Sequence, residues 1–528
     1  MKNILAETRI PTPPRTELQR VRRICLGLLP LLLFLCACRD SRTTGPIMDV
    51  DWNDASLYRS GLIAGARDAL DLLSRSTVYH IDLTIPEDYS PLRGREQIRY
   101  VNRTGSPLEE IILRFYHNPM PYYTGSVLAA SVGGEEVEPL NEMERGVVRL
   151  RLPTPLPDGE EILVDLQFEA EITSWSSGDY FGMIGYLSDL VVLDKFYPVI
   201  PVHEDGAWRV DEFQENGDQG YLEASFYLVR VTAPGDHDIV ATGKEIDRTE
   251  TGDTQTVTYA AGPVREFYLA ASNAFTLASD TLDETVVRSY ASRKRAAGGR
   301  RALQYAVNAL KSFSRRLGPY PYTEFELVSV PMFHGGMEYP GVVAIALTNY
   351  TAMRKEKLEE FVAHEVAHQW FYNVVGSDQV QEPWLDESLA QYATRLYYLD
   401  VRGAEAAEEY AQGDWGTRWS RVGKANIPIG MPSRDYSARE YTAIVYGRGA
   451  VFIQELEMLM GEDHFKKFLR DYCDSHMWKI ATAGSFRELA EKQCECDLTQ
   501  LFEEWVTSPH AGSSRLSPPP PSPRLLPP

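Results

Sequence analysis

The run Phe361-Val362-Ala363-His364-Glu365-Val366-Ala367-His368 constrains this chain more than any other feature. Residues four apart share one face of a helix, a turn above one another. A helix through the run therefore brings the imidazoles of His364 and His368 to one point, with Glu365 beside them. A second apolar segment, Trp384-Leu385-Asp386-Glu387-Ser388-Leu389-Ala390, offers a carboxylate, Glu387, after 18 intervening residues. Two imidazoles and one carboxylate leave the fourth position of a tetrahedral zinc ion open, which distinguishes a catalytic site from a closed structural one. Zinc in such a site lowers the pKa of its water and polarises a carbonyl. Glu365 is the candidate base that takes the water proton and passes it on. A surface helix with a paired histidine gives the same five letters. The apolar flanks, and Trp370-Phe371-Tyr372 directly after, argue instead for a buried helix. The expectation is one Zn2+ per chain, held by His364, His368 and Glu387.

Two further segments extend the site. Gly335-Gly336-Met337-Glu338-Tyr339 carries a carboxylate that, at the closed end of a cleft, pairs with an ammonium group and counts off one residue of a peptide. Its paired glycines allow close backbone approach to a substrate. Tyr446-Gly447-Arg448-Gly449-Ala450 offers a neutral hydroxyl that can meet an oxyanion as it forms, with Tyr441 five residues earlier. Together with the helix motif and its spacing to Glu387, these segments resemble the aminopeptidase N family of gluzincins, over roughly residues 78–507. The resemblance implies a zinc aminopeptidase in which Glu338 binds the free amino terminus, Gly335, Gly336 and Met337 line the substrate, and Glu365 and Tyr446 are catalytic. Departures are Tyr339 for the usual Asn, Asp386 and Ser388 around Glu387 for Asn and Gly, and Arg448 for Lys. The family's N-domain contact to the substrate amine has no match, although residues 196–220 occupy about the right region. Only a Pro-rich stretch follows Trp505, so the expected form is a short one without the large C-terminal helical domain.

The rest of the chain agrees with such an architecture. From Val78, short alternating segments separated by Gly, Pro, Asn and Asp recur to about residue 280, as in an all-β domain. After Gly298-Gly299 the period lengthens, and from Lys357 nearly everything reads as helix. The expected fold is α+β and multidomain, an N-terminal all-β saddle domain followed by a thermolysin-like, mostly helical zinc peptidase domain. The divisions are 1–38, a signal peptide; 39–76, a tether and a helix over 54–75; 77–280, the β domain; 281–507, the catalytic domain; and 508–528, a disordered Pro-rich tail.

Arg20, Arg22 and Arg23 precede an apolar run over 24–37, which suits a secretory signal. The run is short for a bilayer span of about 20 residues. Its end, Leu35-Cys36-Ala37-Cys38, resembles a bacterial lipobox and makes Cys38 the expected lipid anchor of an exported, membrane-bound lipoprotein. Ordinary cleaved secretion and a short uncleaved anchor are the rivals. Of six cysteines, Cys473, Cys494 and Cys496 fall in the mature chain, with no pairing fixed by sequence. A net charge of −22 argues against nucleic acid, whose phosphates need basic partners. Peptides are the expected partners. A zinc endopeptidase and a non-catalytic peptide-binding module are the alternative readings, separated from the first by cleavage of amino-blocked substrates and by loss of activity altogether.

Overall fold

The computed structural model describes residues 50–116, 124–142, 144, 146–175 and 184–507. The signal segment with Cys38, most of the tether, and the tail 508–528 lie outside the described residues. Among those described, no helix is long and apolar enough to cross a membrane.

The first half is β. Its largest sheet has eight strands and is centred on the parallel pair Val78–Thr84 and Ser225–Pro234. Glu161–Glu171 shows why these segments are strands. Alternate residues, Val164, Leu166, Phe168 and Ala170, are buried while their neighbours meet solvent, the two-residue period of a half-covered sheet. A four-stranded, a three-stranded and a two-stranded sheet complete this half among the described residues.

The expected division at 280/281 falls inside the strand Phe275–Leu282. That strand forms a hairpin with Thr285–Ser292, and Thr285–Ser292 pairs in parallel with Glu324–Val330. The hairpin thus belongs to the five-stranded sheet of the second half, completed by Val342–Ala346 and Gly336–Met337. Ala296–Leu317 packs on it through a stripe of Ala302, Ala306, Ala309, Leu310 and Phe313. A methyl group on Gly298 would lie 2.3 Å from the Tyr350 carbonyl, so glycine sets how closely this helix packs. The helices Lys355–Ala367, Trp384–Arg402, Gly449–Met460, Glu462–Ser475 and Ala483–Cys494 follow.

Residues 54–75 do not form one helix. Short turns at Ser56–Arg59 and Ala69–Leu72 flank a stretch in which Leu62 bridges Tyr322 and the Ile63 amide donates to the Pro321 carbonyl. Pairing with that distant segment draws the backbone away from helix. Cys494 and Cys496 form a disulfide, and Cys473 is a buried thiol.

One buried cation fastens the halves together. Arg265, from the β half, donates to the carbonyls of Tyr372 (2.6 Å), Lys479 (2.8 Å) and Leu222 (2.8 Å). Gly376 has no side chain because a Cβ there would lie 2.1 Å from the guanidinium carbon. Nearby, Tyr372 donates to the buried Glu266 at 2.6 Å, a second bond across the same boundary. Arg265→Met leaves these carbonyls unpaired and removes on the order of 3 kcal/mol of stability. Urea unfolding should show a lower midpoint, and an unchanged midpoint would refute this role.

Candidate active site

The motif helix, Lys355–Ala367, ends at the motif itself, with His368 as its C-cap. A helix continuing to 375 is the natural reading of the apolar run, but beyond His368 the backbone runs in irregular turns, its amides bonding carbonyls three to five residues back, while side chains reach out to neighbouring segments. The Gln369 side chain donates to the Tyr339 carbonyl at 3.0 Å and accepts from the Gly341 amide at 2.8 Å. The Trp370 indole donates to Gly318, and the Tyr372 carbonyl is held by Arg265. The loop 338–341 is therefore tied to the residue directly after His368.

Glu387 arrives on the first turn of Trp384–Arg402. The Nε2 atoms of His364 and His368 lie 3.2 Å apart, and Glu387 Oε2 lies 3.2 Å and 3.5 Å from them. A tetrahedral zinc ion bonded at about 2.0–2.1 Å to each donor requires donors roughly 3.3 Å apart. Glu387 Oε2 is buried and accepts no hydrogen bond among the described residues. The donor set thus fits zinc in spacing and in chemistry. Behind it, Asp386 Oδ1 meets His368 Nδ1 at 2.5 Å, and Asp386 Oδ2 accepts from Gln379. A carboxylate on the far ring nitrogen fixes the tautomer that leaves Nε2 free to ligate.

Glu365 is buried beneath the loop. A Cβ on Gly336 would lie 2.5 Å from Glu365 Cγ, and one on Gly335 would lie 2.0 Å from the Phe361 ring. Both glycines therefore make room for the motif helix, where the sequence suggested room for substrate. Gly336–Met337 is the edge of its sheet, pairing with Ile345 and Ala344. Val342–Ala346 lies inside, between two neighbours, so an extended ligand finds free backbone at Gly336–Met337.

Gly336, His364, Glu365, His368 and Glu387 line a cavity of about 260 Å³ together with Met337, Glu338, Tyr441 and Tyr446. The Tyr446 hydroxyl donates to Glu387 Oε1. Tyr446 sits on a π-helical turn, Thr442–Arg448, a deformation that often marks functional positions. The departures noted in the sequence have local roles. Ser388 donates to the Val445 carbonyl at 2.7 Å and tucks under Gly449, where a Cβ would lie 2.0 Å from its oxygen. Arg448 is buried, donates to the carbonyls of Trp505 and Glu504, and covers the Trp505 ring at 4.4 Å. Tyr339 stacks on Tyr268 at 3.9 Å.

The sequence reading missed Asp218, which lines the cavity from the β half. Its loop is pinned to the catalytic half by the Asn216 amide, which donates to the Tyr436 carbonyl at 2.7 Å, and by Gly217, whose missing Cβ leaves room for the Tyr441 hydroxyl. Asn216-Gly217-Asp218 is a turn signal within 196–220, but nothing local shows that it faces the metal ligands. Enclosure, and then the Asp218 carboxylate, push Glu338 well above the usual carboxylate range. Enclosure, and then Glu387, push Asp218 up to about 7.

Residues 301–505 match the peptidase family M1 domain. The match covers the part of the chain that carries the motifs resembling aminopeptidase N. "Probable aminopeptidase 2" of Sulfurisphaera tokodaii is 26% identical over 312 residues, covering 55% of this chain and 39% of that protein. Aminopeptidase 2 of Candida albicans is 28% identical over 274 residues, covering 48% and 29% respectively. The chain thus spans well under half the length of these relatives. An M1 zinc metallopeptidase of Deinococcus radiodurans, solved with a Tyr-Ser-Ala substrate, shares the fold with a TM-score of 0.65 and 21% identity, over 83% of this chain and 96% of that one. It has a two-domain architecture of the same kind, a β-rich half followed by a helical one.

Asp386→Asn keeps the shape of the residue behind His368 but weakens its hold on the ring. Metal affinity should fall about 10–100-fold, read by competition with a chromophoric chelator. Unchanged affinity would remove Asp386 from the site.

Proposed function

We propose that this chain is a zinc-dependent aminopeptidase that removes amino-terminal residues from peptides, with one ion held by His364, His368 and Glu387. The ion would supply Lewis acidity to the scissile carbonyl and acidity to the attacking water. The observation that carries the reading is a spacing. An oxygen of Glu338 lies within 4.8 Å of a ring nitrogen of the ligand His368. An α-amine is about 2.5 Å from the carbonyl carbon of its own residue. An ammonium held by Glu338 and Asp218 would bring its own carbonyl toward the metal position, and the cut would fall after the first residue.

The remaining groups take the roles their positions allow. Gly336–Met337 offers edge backbone to the extended substrate. Glu365, packed under Gly336, accepts the proton of the attacking water and returns it to the departing nitrogen. The Tyr446 hydroxyl, resting on Glu387, turns to the oxyanion that develops on the scissile carbonyl.

Free and acetyl-blocked aminoacyl amides distinguish this from an endopeptidase. The purified chain should cleave the free series and spare the blocked one, and a zinc chelator should abolish the activity. Glu365→Gln should lower kcat about 10²–10⁴-fold with the metal retained. Equal rates on blocked substrates would overturn the aminopeptidase reading, and full activity in Glu365→Gln would overturn the mechanism.

We also propose that the chain is exported and lipid-anchored at Cys38, on the strength of the basic and apolar segment that precedes it. Cys38→Ser should then move the protein from the membrane to the soluble fraction, and unchanged membrane retention would refute the anchor.

A further inference from the structure

The catalytic tyrosine has a neighbour that the proposed chemistry leaves unused. Arg418 Cζ stands over the Tyr446 ring, 5.3 Å from its centroid. Its Nε donates to Asp414 Oδ2 at 2.7 Å, one turn earlier, and its side chain is 20% exposed. The backbone brings it there. Gly447 has no Cβ, and one placed there would lie 2.9 Å from the Trp419 amide, 3.0 Å from the Trp415 carbonyl and 3.1 Å from Arg418 Cβ. The segment 412–420 can therefore lie directly on the π-helical turn that carries Tyr446. Two other rings flank the phenol, His364 at 5.9 Å and Tyr441 at 6.0 Å.

We infer that Arg418 is a positioning residue for Tyr446, holding the phenol ring through a cation–π contact so that its hydroxyl can pass between Glu387 and the oxyanion. The inference rests on the role given to Tyr446 above. A helical pair one turn apart such as Asp414 and Arg418 contributes modest stability by itself, and pairing alone does not require stacking on a ring. The pair instead fixes the guanidinium, since a carboxylate on Nε restricts its plane. A cation over the face of a tyrosine is attracted to the ring quadrupole whichever acceptor the hydroxyl has chosen. It can therefore hold the ring plane without competing for the hydroxyl. The π-helical turn makes such a restraint useful, because its geometry is less regular than that of an α-helix.

The test is a double-mutant cycle on the full chain. Arg418→Met should lower kcat about 3–30-fold on a free aminoacyl amide, with KM within about twofold and zinc content unchanged. Arg418→Lys, which keeps a cation near the ring, should recover most of that loss. In a Tyr446→Phe background the Arg418→Met change should shift kcat less than about twofold, because the hydroxyl it serves is gone. An equal loss in both backgrounds would overturn the inference. So would a rise in KM confined to peptides with a free carboxylate, which would mean that Arg418 touches substrate directly. A substrate-free measurement separates this inference from the functional reading. In 3-fluorotyrosine-labelled protein, the fluorine resonance that disappears in Tyr446→Phe should move or broaden in Arg418→Met. A resonance that stays in place would refute the positioning role even if the chain proved not to cleave amides at all.

Discussion

Carboxylates crowd in and behind one cleft, and that crowding governs the rest of the structure. Glu338, Glu365, Asp386 and Glu387 are buried around His364 and His368, and Asp218 faces them from the other half. Lys195, which also lines the cavity, is already engaged by Asp194 and Glu266. Uncompensated buried anions cost several kcal/mol each, so the cleft is a place prepared for cations. Under the proposed function a divalent ion would answer Glu387 and the imidazoles, and a substrate ammonium would answer Glu338 and Asp218. Metal chemistry and the choice of chain end would then be two results of one charge imbalance.

The metal half of this was legible in the sequence because it is written in local periodicity. Spacing of four on an apolar helix predicts converging imidazoles, and Glu387 on the next apolar segment supplies the third donor. The division into β and helical halves was legible for the same reason. What escaped was non-local. Parallel pairing of Val286 through Tyr290 with Glu324 through Val328 takes the hairpin 275–292 from one half to the other, and no property of the hairpin's own residues announces that. Leu62 and Ile63 left the expected helix to bond residues some 260 positions away. Asp218 looked like one more acidic loop residue, since its meaning lies in what faces it.

Where the chain departs from the family's usual residues, packing absorbs the change. Arg448 reaches carbonyls near Trp505 and ties the tyrosine-bearing turn to the last helical segment. Ser388 fills the space beside Gly449 that a Cβ would take and holds the carbonyl before Tyr446. Asp386 gives His368 a charged partner. All three act on elements that carry a metal donor or Tyr446, so the substitutions retune the supports of the site and leave its donors in place.

The loop carrying Asp218 belongs to one half of the molecule and the loop carrying Glu338 to the other, with Arg265 bolting the halves together. The end-stop of the cleft is therefore a gap between two parts, as in a caliper, rather than a wall of one. Its setting depends on how the jaws are clamped. A substitution at the bolt, whose hydrogen bonds reach backbone carbonyls and no metal donor, would reset that gap while the donors stayed in place, and under the proposed function would alter which peptide ends are admitted. In such a molecule selectivity can drift through the joint between halves faster than through the site itself.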